Sequence, residues 1–143
     1  MTIGKLIANR SGEVWRCNAD DSVAHAVDVL ASKRIGALPV DDGKHAVAGI
    51  FSERDLLYCL KAHGAKALDM KVREVMTAPV ITAAPETSVI EALALMTRRR
   101  FRHLPVVEDG RMVGFISLGD LVKYRIERIE QEAEAMRSYI QSA

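Results

Sequence analysis

Apolar residues recur with two different periods along this chain of 143 residues. From about Val23 to Lys33, and again from about Val89 to Arg99, they fall at i, i+3, i+4 and i+7, which predicts two amphipathic helices. Each helical segment is followed by Leu-Pro-Val, an Asp-Gly pair, and a β-branched or aromatic run. This order predicts a strand, a turn and a second strand, with the proline at the start or edge of the sheet. A further helix is predicted to begin near Asp55 and near Asp120, where a carboxylate suits the helix dipole.

The same order of features occurs twice. SVAHAVDVL at 22–30 is matched by SVIEALALM at 88–96, and GIFSERDL at 49–56 by GFISLGDL at 114–121. Extended lead-in segments precede the two copies, at 14–17 and 80–83. We therefore divide the chain into a first repeat with its connector (1–69), a second repeat (70–127) and a C-terminal helical tail (128–143). A unit of about 60 residues is marginal alone, so the two are predicted to pack as one pseudo-twofold α+β module.

Composition narrows the class of protein. Hydrophobic residues make up 49% and charged residues 27%, as in a globular chain, and the formal net charge is only +1. Such a balance supplies no overall field for nucleic acid or membrane lipid, and no apolar run is long enough to span a bilayer. The start, MTIGKLIANR, lacks the apolar core of a signal peptide, which favours a cytoplasmic protein. Cys17 and Cys59 lack metal-ligand spacing, so we predict small buried hydrophobes, with no disulfide and no metal site.

The repeated order of lead-in strand, helix, LPV strand, DG turn, G-h-h-S-x-x-D and helix resembles the CBS-domain pair, or Bateman module, from about Ile3 to Arg125. The resemblance implies two tandem repeats, each with a lead-in strand, a helix, two or three strands and a helix. It also implies a non-catalytic sensor that forms homodimers. Its ligand would be an adenosine compound such as AMP, ADP, ATP, NAD(H) or S-adenosylmethionine, held in the clefts between repeats and not as an obligatory cofactor.

The Ser-x-x-Asp motif suits such a ligand on chemical grounds. A strand that ends in serine, with aspartate in the first helical turn, brings together a hydroxyl, free backbone N–H groups and a carboxylate. A carboxylate can accept both hydrogen bonds of a ribose diol. The resemblance assigns the ribose contacts to Asp55 and Asp120 and the serine position to Ser52 and Ser117. The alternative is that these residues only cap helices.

The resemblance also predicts that the two clefts differ. It places the residues before each Leu-Pro-Val at the ligand, namely Ile35, Gly36 and Ala37 in the first repeat and Phe101, Arg102 and His103 in the second. Only the second repeat carries a basic pair there, whereas the first offers Arg54 where the second has Gly119. Trp15 and Ile81 occupy matching lead-in positions and are candidates for the adenine pocket. Trp15 could instead fill the core or a dimer surface.

Nucleic-acid binding, catalysis and a protein-interaction scaffold are the alternative functions. Arg98, Arg99, Arg100 and Arg102 form a basic cluster, but the chain has few aromatic residues for stacking bases, which argues against nucleic-acid binding. An enzyme is not indicated, because no Gly-x-Ser-x-Gly elbow and no Walker or Rossmann loop is present, and we assign no catalytic residue. A protein-interaction scaffold whose clefts no longer bind ligand stays open. The effector of a sensor is expected to be a separate, unknown protein.

The tail continues the apolar pattern of the last helix. Its apolar positions are spaced 4, 3, 4, 3 and 4 residues apart, with charges between them: Val122, Ile126, Ile129, Ala133, Met136 and Ile140. This is a heptad-like stripe. It could join two copies, dock on another protein or fold back on its own module. Self-association is favoured, because an isolated helix of this length is marginal in water.

Overall fold

The computed structural model describes residues 1–9 and 14–142, so residues 10–13 of the first repeat and Ala143 of the tail lie outside it. The first repeat and its connector contain α1 (Ile3–Ala8), β1 (Cys17–Asn18), α2 (Val23–Lys33), β2 (Ala37–Asp41), β3 (Gly49–Ser52), α3 (Glu53–His63) and a 3₁₀ helix (Gly64–Asp69). The second repeat and the tail contain α4 (Val72–Val75), α5 (Val89–Arg99), β4 (His103–Glu108), β5 (Arg111–Ser117) and α6 (Leu118–Ser142). The fold is α+β, and both predicted amphipathic helices, α2 and α5, are confirmed.

The two repeats share their local hydrogen bonding as well as their sequence pattern. Ser22 and Ser88 cap α2 and α5, each accepting a hydrogen bond from the backbone N–H three residues later. Both helices end at an arginine in the left-handed region, Arg34 with φ 54° and Arg100 with φ 58°. The matching caps show that the repeats are copies of one structural unit.

The strands form two small sheets. In the first repeat the order is β1-β2-β3, with β1 parallel and β3 antiparallel to β2, and in the second β4 pairs antiparallel with β5. The predicted lead-in strands are shorter than expected, since only Cys17 of 14–17 lies in β1 and the second lead-in makes a single parallel bridge from Ala83 to Val106. Asp109 and Gly110, with φ 51° and 74°, form the predicted turn between β4 and β5.

The prediction that the proline begins or edges the sheet is wrong for the first repeat. Pro39 lies inside β2, the central strand, opposite Ile50. The backbone N–H and carbonyl of Ile50 both bond to Thr77 instead, at 3.0 and 2.9 Å. The backbone hydrogen bonds of Ile50 therefore point away from Pro39. The missing N–H of the proline removes no hydrogen bond between β2 and β3.

Each repeat has its own hydrophobic core, and the second core includes a segment from the start of the chain. Ile3 of α1 is fully buried in the second-repeat core, with Leu6 and Ile7 packed against it. The backbone N–H of Ile3 donates to the carbonyl of Thr87 at 2.8 Å. Gly114 of β5 permits this contact, because a side-chain carbon there would collide with Ile7.

The first-repeat core likewise includes residues from the start of the second repeat. Val72 is fully buried in the first-repeat core, and Met76 packs against it. Gly49 is the counterpart of Gly114, since a Cβ there would lie 2.6 Å from the Met76 sulfur and 2.9 Å from the carbonyl oxygen of Thr77. Both cores thus extend across repeat boundaries drawn from the sequence, and the repeats are tied into one module.

The last helix is continuous from the second repeat into the tail, since α6 spans 25 residues. Among the described residues, none of the helices combines the length and apolar character needed to cross a membrane.

Both cysteines are buried as predicted, at 3% and 5% exposure. Burial, followed by the charge of Asp21, raises the pKa of Cys17 to about 12, and burial, followed by the charge of Glu74, raises the pKa of Cys59. Both thiols are therefore unreactive near neutral pH.

Candidate functional site

Both Ser-x-x-Asp motifs lie where a strand passes directly into a helix. In the first repeat the backbone N–H and the hydroxyl of Ser52 both donate to Asp55 Oδ2 at 2.9 Å. In the second, the N–H of Ser117 donates to Asp120 Oδ2 at 2.8 Å, and the N–H of Asp120 donates to Ser117 Oγ at 3.1 Å. Helix capping is therefore a role that these four residues have. A ribose contact for them stays a prediction.

The carboxylate of Asp55 in the first repeat can accept hydrogen bonds beyond those that cap the helix. Asp55 Oδ1 accepts one further hydrogen bond, from the hydroxyl of Thr77 at 2.8 Å. An ionised carboxylate offers about four lone-pair sites, and the bonds to Ser52 and Thr77 occupy three of them. A ligand hydroxyl can add a hydrogen bond, or can displace the hydroxyl of Thr77.

Groups from both repeats converge beside the strand that begins at His103. A Cβ built on Gly36 of the first repeat would lie 3.9 Å from the carboxylate of Glu53 and 4.0 Å from Cε1 of His103 in the second. The charges of Arg102 and Asp120 act on the same imidazole. We call these five residues, Gly36, Glu53, Arg102, His103 and Asp120, the inter-repeat surface. It combines two carboxylates, a guanidinium and an imidazole beside a glycine.

Backbone hydrogen bonds fix this surface in the same way in both repeats. The N–H of Glu53 donates to the carbonyl of Gly36 at 3.1 Å, and the N–H of Leu118 donates to the carbonyl of Arg102 at 2.8 Å. Each bond ties the first residue of a helix to the residue before an LPV strand. The positions that precede Leu-Pro-Val are thereby held next to the helix that carries the aspartate.

His103 is held by an aromatic neighbour and is partly desolvated. Its ring stacks on Phe115, with centroids 5.6 Å apart and planes 11° apart. Burial, and after it the charge of Arg102, lower the pKa of His103, while Asp120 and Glu53 act in the opposite direction. The imidazole is therefore neutral near pH 7 and can accept or donate one hydrogen bond.

The lowered pKa of His103 predicts loss of stability in acid. The unfolded chain binds this proton with the ordinary pKa of 6.5, more readily than the folded chain. The free energy of unfolding should therefore fall as the pH drops through about 6.5, and the fall should end below the lowered pKa. Urea unfolding between pH 7.5 and 5 should show a smaller fall for His103→Gln than for the wild type. His25→Gln is the control, since His25 is exposed, and equal falls for wild type and His103→Gln would contradict the prediction.

The other predicted site residues are not equally accessible. Ala37 is 4% exposed, and Ile35 and Phe101 are half-buried and pack against the first and second cores. Arg54 and Gly119 are exposed at matching places in the first turns of α3 and α6. Among these, Arg54 has the exposed charge that a phosphate would need.

The two candidates for the adenine pocket both lie at the surface. Trp15 is 41% exposed and Ile81 is 39% exposed, so Trp15 does not fill the core. The ammonium of Lys33 lies 4.0 Å from the centre of the Trp15 ring, a cation–π contact. The neighbouring Arg16 reaches the second repeat and donates to the carbonyl of Met112 at 3.4 Å. The first lead-in segment therefore contacts both repeats, and one face of the indole already has a cationic partner.

A separate open groove of about 460 Å³ borders Asp120 and runs between α1 and α6. It is lined by Met1, Leu6, Asn9, Asp120, Lys123, Tyr124, Glu127, Arg128 and Gln131. Of the predicted site residues it includes Asp120 alone. The groove therefore adjoins the inter-repeat surface only through Asp120.

Two members of the site were not singled out from the sequence. Glu53 stands between Ser52 and Arg54 in the repeated motif, and Phe115 belongs to the aromatic run after the Asp-Gly turn. Glu53 has an apolar counterpart, Leu118, in the second repeat, and this difference between the copies could have drawn attention to it. The stacking of Phe115 on His103 depends on strand register, which a single sequence does not give.

Other clusters considered from the sequence have simpler structural roles. Arg98 and Arg99 are exposed in the last turn of α5, where the helix dipole favours cations. Within residues 1–9 and 14–142, no three His, Cys, Asp or Glu side chains are arranged to hold a metal ion.

Taken together, these features define a class: a module of two α+β repeats, each with a Ser-x-x-Asp helix start, that share a polar surface at their junction. The protein-family model of the CBS domain matches residues 10–62 and 72–127 of the sequence. The chain belongs to the CBS-domain family.

Similar proteins agree with this assignment. The chain is 38% identical over 132 residues to the CBS domain-containing protein CBSX3, mitochondrial, of Arabidopsis thaliana, covering 90% of this chain but only 64% of that protein. The crystal structure of the CBS-domain containing protein ATU1752 from Agrobacterium tumefaciens superposes with a TM-score of 0.81 at 36% identity, covering 87% of this chain and 99% of that one. The crystal structure of CBSX2 in complex with AMP superposes with a TM-score of 0.73 at 27% identity, covering 88% and 96%.

Proposed function

We propose that this protein is a regulatory sensor that binds an adenosine-containing nucleotide, AMP, ADP, ATP or NAD(H), between its two repeats. The observation that carries the proposal is the approach of the two repeats at Gly36, where a Cβ built on this first-repeat residue would lie 4.0 Å from Cε1 of His103 in the second. The AMP complex of the similar protein CBSX2 supports the ligand class. The proposed role is binding without catalysis, and its support is the family to which the chain belongs.

Each part of the ligand has a chemical counterpart. Asp120 and Asp55 are proposed to accept the ribose hydroxyls, and the serine hydroxyls and helix N-termini to meet phosphate. Arg102 and His103 add charge and a hydrogen bond beside Asp120, whereas Arg54 is the corresponding cation of the other cleft. Because the first repeat lacks the basic pair, we expect the Asp120 cleft to bind phosphates more tightly. Trp15 and Ile81 are the proposed adenine contacts.

A ligand at this place can act as a signal. It contacts both repeats, so it favours whichever relative arrangement of the repeats gives the better contacts. A shift requires different affinities for the two arrangements, and binding at a junction supplies that difference. The proposed output is altered affinity for a separate effector protein of unknown identity.

We also propose that the module works as a homodimer. The support is an exposed apolar surface on the second helix of each repeat, including Leu57 at 64% and Val122 at 41% exposure. Larger exposed apolar patches mark interaction surfaces in soluble proteins. A second copy supplies a matching surface, because a twofold dimer brings the same face of both copies together.

Thermal melting with a ligand panel tests the proposed function. AMP, ADP, ATP, NAD, NADH and S-adenosylmethionine would each be added at millimolar concentration to the full chain. A ligand at 100 times its dissociation constant adds about 2.7 kcal/mol, which raises the melting temperature by several degrees. A selective rise would identify the ligand. A flat panel would contradict the sensor and favour a protein-interaction scaffold.

A further inference from the structure

The tail presents an apolar face that the module does not cover. We call the six apolar residues of α6 the tail stripe: Val122, Ile126, Ile129, Ala133, Met136 and Ile140. Ala133 is half-buried, and the other five are 41–65% exposed. The helix therefore does not fold back on its own module along this face. A surface of this kind on a continuous helix needs a partner in water.

The spacing of the tail stripe is that of a two-stranded coiled coil. Steps of 4 and 3 residues alternate over the whole stripe, which gives the 3.5-residue period of a left-handed supercoil. In heptad terms Ile126, Ala133 and Ile140 occupy position a, and the other three occupy position d. Two such helices would pack six apolar layers against each other.

Charges beside the stripe discriminate between the orientations of a second copy. Position g holds Arg125, Glu132 and Tyr139, and position e holds Lys123, Glu130 and Arg137. In a parallel coil each g residue meets the e residue five positions later on the other helix. Arg125 then meets Glu130 of the second copy, and Glu132 meets Arg137 of the second copy. Every one of these contacts joins opposite charges.

An antiparallel coil is less favourable with the same residues. Full overlap of the stripes pairs Glu130 with Glu130, Glu132 with Glu132 and Lys123 with Arg137, which are all like charges. If the two antiparallel helices are shifted by one heptad so that their overlap lies nearer the modules, the flanking charges that meet are opposite. Met136 and Ile140 then face no residue of the other tail stripe. The parallel arrangement alone faces all six layers and also pairs four of the five flanking charges, all except Lys123, with opposite charges.

We propose that residues 122–140 of two copies form a parallel two-stranded coiled coil. This deepens the homodimer proposed above and requires no nucleotide. The occupant of the tail stripe is thus a second copy of this chain, and the two modules lie at the same end of the coil. Asp120, in the first turn of the same helix, lies only two residues before the coil begins. A change at the inter-repeat surface would therefore be passed to the coil through one uninterrupted helix.

Disulfide trapping tests the orientation in the full chain. In a parallel coil position 133 faces position 133, so Ala133→Cys should form a linked dimer under mild oxidation. Ala135→Cys is the matched control, since Ala135 is exposed and lies outside the coil interface. The wild type controls for Cys17 and Cys59, which are buried. Dimers that are linked equally through both introduced cysteines, or through neither, would overturn the parallel coil. A monomer by sedimentation would overturn the homodimer as well.

Charge reversal gives an independent readout. Glu132→Arg and Arg137→Glu should each weaken dimerisation by about five- to thirtyfold, because two attractive contacts become repulsive. The double variant should recover most of the affinity. Both substitutions also break pairs within the helix, Arg128–Glu132 and Glu134–Arg137 at 3.4 Å, and the double variant does not restore those. Recovery can therefore come only from contact between copies, and its absence would overturn the proposal.

Discussion

Replacing Asp120 with alanine is expected to weaken nucleotide binding by at least about 100-fold. The proposed carboxylate accepts two hydrogen bonds from the ribose, and each bond to a charged group contributes about 1.5–3 kcal/mol. A ligand present at 100 times the wild-type dissociation constant would then be near the dissociation constant of the variant. Its stabilisation would fall from about 2.7 to about 0.4 kcal/mol. Thermal melting with and without ligand measures this directly.

The controls separate ligand binding from helix capping. Asp120 accepts from the N–H of Ser117 at 2.8 Å, so the variant without ligand should itself lose about 1 kcal/mol. The ligand-induced difference is therefore the quantity to compare. Asp120→Asn keeps a capping oxygen and should bind weakly, whereas Asp28→Ala removes an exposed carboxylate on α2 and should bind as the wild type does. Full binding by Asp120→Ala and Asp55→Ala together would rule out the ribose role.

Replacing Ile3 with alanine is expected to cost about 2–5 kcal/mol of stability, although the residue stands at the start of the chain. Ile3 is fully buried in the second-repeat core, and the smaller side chain leaves a cavity there. For a domain of this size the melting temperature should fall by roughly 6–15 °C. Calorimetry of the two proteins gives the comparison.

A matched variant and a local probe make this prediction specific. Ile90→Ala deletes the same atoms at a site that is 62% exposed and should change stability by no more than about 0.5 kcal/mol. In hydrogen exchange, Ile3→Ala should loosen β4 and β5 of the second repeat before β2 and β3 of the first. Loosening of β2 and β3 instead would mean that α1 belongs with its own repeat.

The sequence determined the repeated unit because its signals are local. Apolar periodicity fixed the bounds of α2 and α5, and the Asp-Gly pair marked the turn between β4 and β5. The serine and aspartate of each motif bond to each other across three residues, so their place at a helix start follows from spacing alone. The duplication of these signals was sufficient to indicate the family.

Tertiary structure decided which segments complete which core. Nothing in the sequence IGKLIA assigns α1 to the second repeat, because its contacts with residues such as Val89 lie more than 80 positions away. The place of Pro39 in a central strand likewise depends on Thr77, a residue of the second repeat that forms both backbone hydrogen bonds of Ile50. Glu53 joined the candidate site through the approach of the two repeats, and Phe115 joined it through the pairing of β4 with β5. Local sequence patterns specify the helices and strands of each repeat, but contacts between distant residues decide which segments pack together. Many segments are apolar enough to enter a core, and close packing of both cores decides which of them do.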